Sequence, residues 1–74
     1  MRFTQAARKH RVGKAHVRYV VATTEPTPIV TARGDQGWLY IGADDRSLEL
    51  EIIAVEIPYG LLVIHAMPTA LRGR

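Results

Sequence analysis

Proton chemistry in this chain falls to three histidines, His10, His16 and His65, because the sequence contains no cysteine. Histidine serves as acid or base near neutral pH. A metal centre is not expected: His10 and His16 stand six residues apart across Gly13, neither has ligand spacing to His65, and no thiolate is present. No glycine-rich phosphate loop and no activated-serine motif occurs, and Asp44-Asp45 reads as an ordinary hairpin turn. Cations are abundant at one end. Through residue 20 the chain carries Arg2, Arg8, Lys9, Arg11, Lys14 and Arg18 with no acid, whereas all seven acids lie between Glu25 and Glu56. Charge segregated in this way points to a polyanionic partner, nucleic acid or an acidic protein surface. The plainer reading is a solvated helix face whose bases aid solubility.

Something must position these groups, and 74 residues with 47% apolar content make a single domain, residues 1–74, near the lower size limit for unaided folding. Stability of a few kcal/mol at most is expected, so a partner that completes the core would be natural. No disulfide is possible. No stretch approaches the roughly 18 apolar residues of a membrane span, and no charged-then-apolar leader opens the chain. Cytoplasmic location without membrane contact is the expectation.

Phe3-Thr4 opens a predicted first helix that runs to about His10, with Thr4 as its cap. Gly13 separates it from a second, from about Lys14 to Thr23, whose inward side would be Val12, Ala15, His16, Tyr19, Val20 and Thr23. The string Thr24-Glu25-Pro26-Thr27-Pro28 stops this helix. Ile29 to Arg33 suits an edge strand, and three stronger strands follow at Trp38 to Ala43, Leu48 to Ile57 and Leu61 to Met67. The expected architecture is α+β: two N-terminal helices packed on one face of a three- to four-stranded antiparallel β-meander, with residues 48–57 central.

The two hairpins set a register. A four-residue loop at 44–47 pairs Ala43 with Leu48, Ile41 with Leu50 and Leu39 with Ile52, and places those six side chains on the helix side. A three-residue loop at Pro58-Tyr59-Gly60 pairs Ile57 with Leu61, Val55 with Val63 and Ile53 with His65. The face away from the helices would then carry Trp38, Ile53, Val55, Ile57, Leu61 and Val63, with His65 in the row of Trp38 and Ile53. A two-residue loop would move His65 to the core side. Such an apolar face calls for a cover, and Trp38, Ile53, Val55 and Val63 are the expected partner interface.

The local strings resemble the BrnT-type toxins, within the wider RelE-like ribonuclease group. Arg8-Lys9-His10-Arg11-Val12 is similar to that family's R-K-H-G-V ending of the first helix. His16-Val17-Arg18-Tyr19-Val20 sits where the family has A-x-x-V-F. Trp38-Leu39-Tyr40-Ile41-Gly42 resembles its strand R-Y-x-x-I-G, and Leu61-Leu62-Val63-Ile64-His65-Ala66-Met67 occupies the place of its last strand, R-I-I-S-A-R. Arg11 stands where the family has glycine, and a non-glycine residue in a left-handed turn costs about 1 kcal/mol.

The resemblance implies metal-independent RNA cleavage, with no cofactor. That reaction needs a base for the 2′-hydroxyl proton, an acid for the leaving 5′-oxygen and cations for the phosphorane. Lys9, His10 and His65 are the catalytic candidates. Arg8, Arg11, Arg18, Arg33 and Arg72 are the candidate RNA ligands. It also implies a type II toxin neutralised by a co-encoded antitoxin, of ribbon-helix-helix type, with homo-oligomerisation as a further option. The alternative function is a non-enzymatic module that binds nucleic acid through the basic helices or a protein through the apolar sheet face.

Overall fold

The computed structural model describes residues 1–72. In chain order the elements are β1 (Arg2–Phe3), α1 (Gln5–Arg8), α2 (Lys14–Thr23), β2 (Thr27–Val30), β3 (Gln36–Ala43), β4 (Glu49–Ile57) and β5 (Gly60–Pro68), followed by a 3-10 turn, Thr69–Leu71. The five strands form one mixed sheet in the order β1-β5-β4-β3-β2. β1 runs parallel to β5, and every other pair is antiparallel. The molecule is α+β, but the expected pair of helices on a three- to four-stranded antiparallel meander is not what forms. Among the described residues there is one full helix, a single-turn α1, and a fifth strand.

The first residues explain the difference. Arg2 and Phe3 pair with Leu62 and Val63, and the Thr4 N–H donates to the Val63 carbonyl at 3.0 Å. The sheet thus takes Arg2 to Thr4, while α1 still starts at Gln5 and is shortened at its other end, where Lys9 is already the C-cap. Thr4 does cap α1, its Oγ1 accepting from the Ala7 N–H at 3.1 Å. The helix ends after one turn, and Arg11 follows with φ 56°, in the left-handed region. α2 begins at Lys14 and ends at Thr23, between Gly13 and the proline-bearing segment as the sequence suggests. Its inward face agrees with expectation at Val12 and Val20 and differs elsewhere: Val17 is fully buried and Val21 partly so, whereas Ala15, Tyr19 and Thr23 are exposed. β2 tolerates Pro28 because it is the sheet edge.

The register corrections matter most for the site. In the first hairpin Ser47 adopts φ 65°, and Ala43 pairs with Glu49 rather than Leu48. A type I turn with a left-handed bulge residue adds one position. Tyr40 consequently faces Ile52, and Trp38 faces Ala54. Leu39 and Ile41 leave the core side. In the second hairpin the loop is Pro58-Tyr59 alone, with Ile57 paired to Gly60, so the three-residue loop is wrong. A bulge then inserts Ile64 between the pairs Ala54–Val63 and Ile53–His65. That extra residue restores His65 to the face away from the helices.

The helix-side core comprises Ala7, Val17, Val20, Tyr40, Leu50, Ile52, Ala54, Val63 and Ala66, with Phe3, Trp38 and Leu61 packed against it. Each fully buried Val, Leu or Ile side chain contributes roughly 1.5–3 kcal/mol. Gly42 lets the end of α2 approach β3, since a Cβ there would run into the Thr24 side chain. Trp38 and Val63 therefore belong to the core and not to a partner interface. Ile53 and Val55 do lie on the other face, with Leu39, Ile41 and Ile57. No helix among the described residues is long and apolar enough to cross a membrane.

Candidate active site

On a sheet, residues two apart along adjacent strands are diagonal neighbours on one face, within reach of long side chains. Ile53 opposes His65 and Glu51 opposes Met67, so Glu51 and His65 form such a diagonal on the face away from α2. His65 Nε2 and Glu51 Oε2 stand 2.8 Å apart. An ionised carboxylate only accepts, so the ring proton sits on Nε2 and leaves the Nδ1 lone pair for proton uptake. Glu51 is buried, at 6% exposure, in a row that continues through Ile53, Val55 and Ile57. Its other oxygen, Oε1, has no hydrogen bond of good geometry and is compensated by an ion pair with the Arg72 guanidinium. Thr69 donates to Glu49 Oε1 at 2.7 Å, which ties the 3-10 turn to β4 and brings Arg72 over Glu51.

His10 completes the group. The segment after α1 runs beside the part of β5 that β1 does not pair, and the His10 ring lies 6.5 Å from that of His65, edge-on at 77°. The four side chains thus come from α1's end, β4, β5 and the C-terminal turn. They combine a histidine oriented by a buried carboxylate, a second histidine at a distance that leaves room for a reacting group, and one arginine. This set can take up a proton, deliver a proton and hold negative charge.

The remaining sequence candidates lie outside this group of four. Lys9 and Arg8 are exposed beside His10, and Arg11 is exposed in its left-handed turn. The Arg18 guanidinium lies 5.9 Å from the centre of the Phe3 ring. Arg33 sits in the β2–β3 loop, where it lines a cavity of about 550 Å3 with Val55, Ile57, Leu62 and Ile64. Glu51 is the member of this group that sequence reasoning missed. The available signal was a carboxylate in an otherwise apolar alternating row, Glu51-Ile53-Val55-Ile57.

His16 has carboxylate partners of its own and a different character. Its Nδ1 donates to Asp45 at 2.5 Å and lies 3.9 Å from Asp44. Both oxygens of Asp44 are already engaged: Oδ1 accepts from the N–H groups of Arg46 and Leu48, and Oδ2 from the Arg46 guanidinium. Burial pushes the Asp44 carboxyl up, but these donors outweigh it and hold the group below the usual carboxylate range. The hydrogen bond from His16 likewise lowers Asp45. His16, Asp44 and Asp45 lie close enough to share a cation, yet their atoms are spent on the hairpin turn and on joining it to α2. The clamp is structural. Comparison with protein-family models, curated proteins and solved structures finds no match for this chain.

Proposed function

We propose that this domain is a small metal-independent endoribonuclease of the kind its motifs resemble, a BrnT-type toxin held in check by a co-encoded antitoxin. The observation that carries the reading is the buried Glu51–His65 pair facing His10, with Arg72 on the carboxylate. His65 Nδ1 takes the 2′-hydroxyl proton, and the freed 2′-oxygen attacks phosphorus. The bond to the 5′-oxygen breaks as His10 donates a proton to it, and a 2′,3′-cyclic phosphate and a 5′-hydroxyl result. Arg72 can leave Glu51 for the phosphorane oxygens, because its side chain is 59% exposed. Lys9, one residue from His10, adds positive charge at the same edge. Glu51 holds the His65 ring and its tautomer, as carboxylates do for catalytic imidazoles.

The apolar sheet face supports the antitoxin part of the reading. Leu39, Ile41, Ile53, Val55 and Ile57 lie on it, and Ile41 is 42% exposed. The same face holds the dyad, so a segment laid across it would cover both. The test is end-group analysis of RNA incubated with the purified chain in EDTA. Cyclic-phosphate ends, lost in His10→Ala and His65→Ala, are the expected result. Intact RNA with the folded wild-type chain would instead favour the non-enzymatic module.

A further inference from the structure

A second concave feature lies at the β1 edge of the sheet. It is a groove of about 400 Å3 lined by Met1, Arg2, Phe3, Thr4, Arg8, Lys14 and Leu62. No acidic side chain lines it. Lys14 Nζ sits 5.4 Å from the centre of the Phe3 ring and the Arg18 guanidinium 5.9 Å, so the ring holds both cations in place by cation–π attraction. Arg46 and Arg72 are tied to Asp44 and Glu51, whereas Arg2, Arg8, Lys14 and Arg18 make no ion pair among the described residues. Three cations lining one groove, Arg2, Arg8 and Lys14, with Arg18 against its Phe3 wall and no counter-charge, repel one another and are relieved by an anion. Leu62, at the groove wall, pairs with Val55 and His65 with Ile53, so the bulge at Ile64 leaves them about 7 Å apart along the strand. Arg8 connects the two places, being two residues before His10.

We propose that this groove is a phosphate subsite that seats the backbone of a single-stranded nucleic acid whose neighbouring linkage lies at His65. Arginine forks match phosphate oxygens in pairs, and Lys14 and Arg18, already held against Phe3, lose less side-chain freedom on binding. The identity of the strand as RNA rests on the ribonuclease reading; the subsite itself does not.

The test uses the full chain and a fluorescein-labelled 2′-O-methyl RNA decamer, which cannot be cleaved because its nucleophile is blocked. Binding is followed by anisotropy from 50 to 200 mM salt. Each phosphate contact to a single strand contributes about 0.7 to the slope of log affinity against log salt. Arg2→Gln combined with Lys14→Gln should make the slope shallower by about 1.4 and weaken binding at 50 mM salt roughly 10- to 100-fold. Arg2→Lys with Lys14→Arg, which keeps the charges, should retain the wild-type slope and shows that folding is not the cause. An unchanged slope in the Gln pair would overturn the subsite. Poly-glutamate competing as well as the decamer at equal charge would also overturn it, in favour of an acidic protein segment. Wild-type binding with the predicted slope but no RNA cleavage would sink the ribonuclease reading and leave the subsite standing.

Discussion

His16 with Asp45 and Asp44, and His65 with Glu51, are the same pairing of side chains put to different uses. At the β3–β4 turn Asp44 is saturated by two backbone N–H groups and the Arg46 guanidinium, Asp45 accepts from His16, and together they join α2 to the hairpin. On the open sheet face the carboxylate is buried, one of its oxygens lacks a good hydrogen bond, and its partners His65 and Arg72 are themselves partly exposed. A pair that satisfies its members locally stabilises a fold. A pair that keeps a buried charge in place for the sake of an accessible imidazole lowers stability and retains reactivity. What else touches the carboxylate, not the pairing itself, separates the two.

The largest contrast should come from Glu51→Gln. It keeps the shape and removes the charge that fixes the His65 tautomer, so cleavage should fall roughly 10²- to 10⁴-fold. Melting temperature should change little, because the partners left behind, His65 and Arg72, are exposed enough to be rehydrated. Calorimetry beside a cleavage assay checks this; a large fall in melting temperature with activity intact would make the Glu51 pair a second structural clamp.

Asp44→Ala should do the reverse. It strands the Arg46 and Leu48 N–H groups and frees the Arg46 side chain, so the hairpin loosens and the melting temperature falls by several degrees. Cleavage measured at a temperature where the variant is still folded should change little.

The smallest effect is one of pH. The Asp44 and Asp45 carboxyls are held below their ordinary value of 3.8 in the folded state. As pH falls through that value the unfolded chain binds protons that the folded chain does not. Their contribution is therefore fully present above the ordinary range and is lost as pH drops through the lower folded-state values. Acid melts should show a shallower decline between pH 5 and pH 2 for Asp44→Asn than for the wild type. Parallel curves would remove Asp44 from the clamp.

The parts of this architecture legible in the sequence are those that local chemistry determines. Gly13 and the Thr24–Pro28 string bracket α2, and alternation marks the three long strands. Hidden were the features that depend on single residues in unusual conformations. Ser47 carries a left-handed bulge that glycine or asparagine would have advertised, and it moves every β3 side chain by one position relative to β4. Ile64 is an unpaired insertion that no residue type signals. The shorter loop and this bulge offset each other at His65, so its placement on the open face was anticipated from a register that is itself wrong. β1 is two residues long, too short for any periodicity, and its pairing with β5 depends on the tertiary fold. Glu51 could not be joined to His65 until both strands were in register.

The direct measurement is the rate of RNA cleavage, in EDTA and under conditions where every protein is folded, by the wild type, His65→Ala and His16→Ala. His65→Ala should lose roughly 10²- to 10⁴-fold, the usual contribution of a positioned acid or base, while His16→Ala should stay within a few-fold of the wild type. Equal losses in the two variants, or full activity in His65→Ala, would contradict the catalytic role of His65.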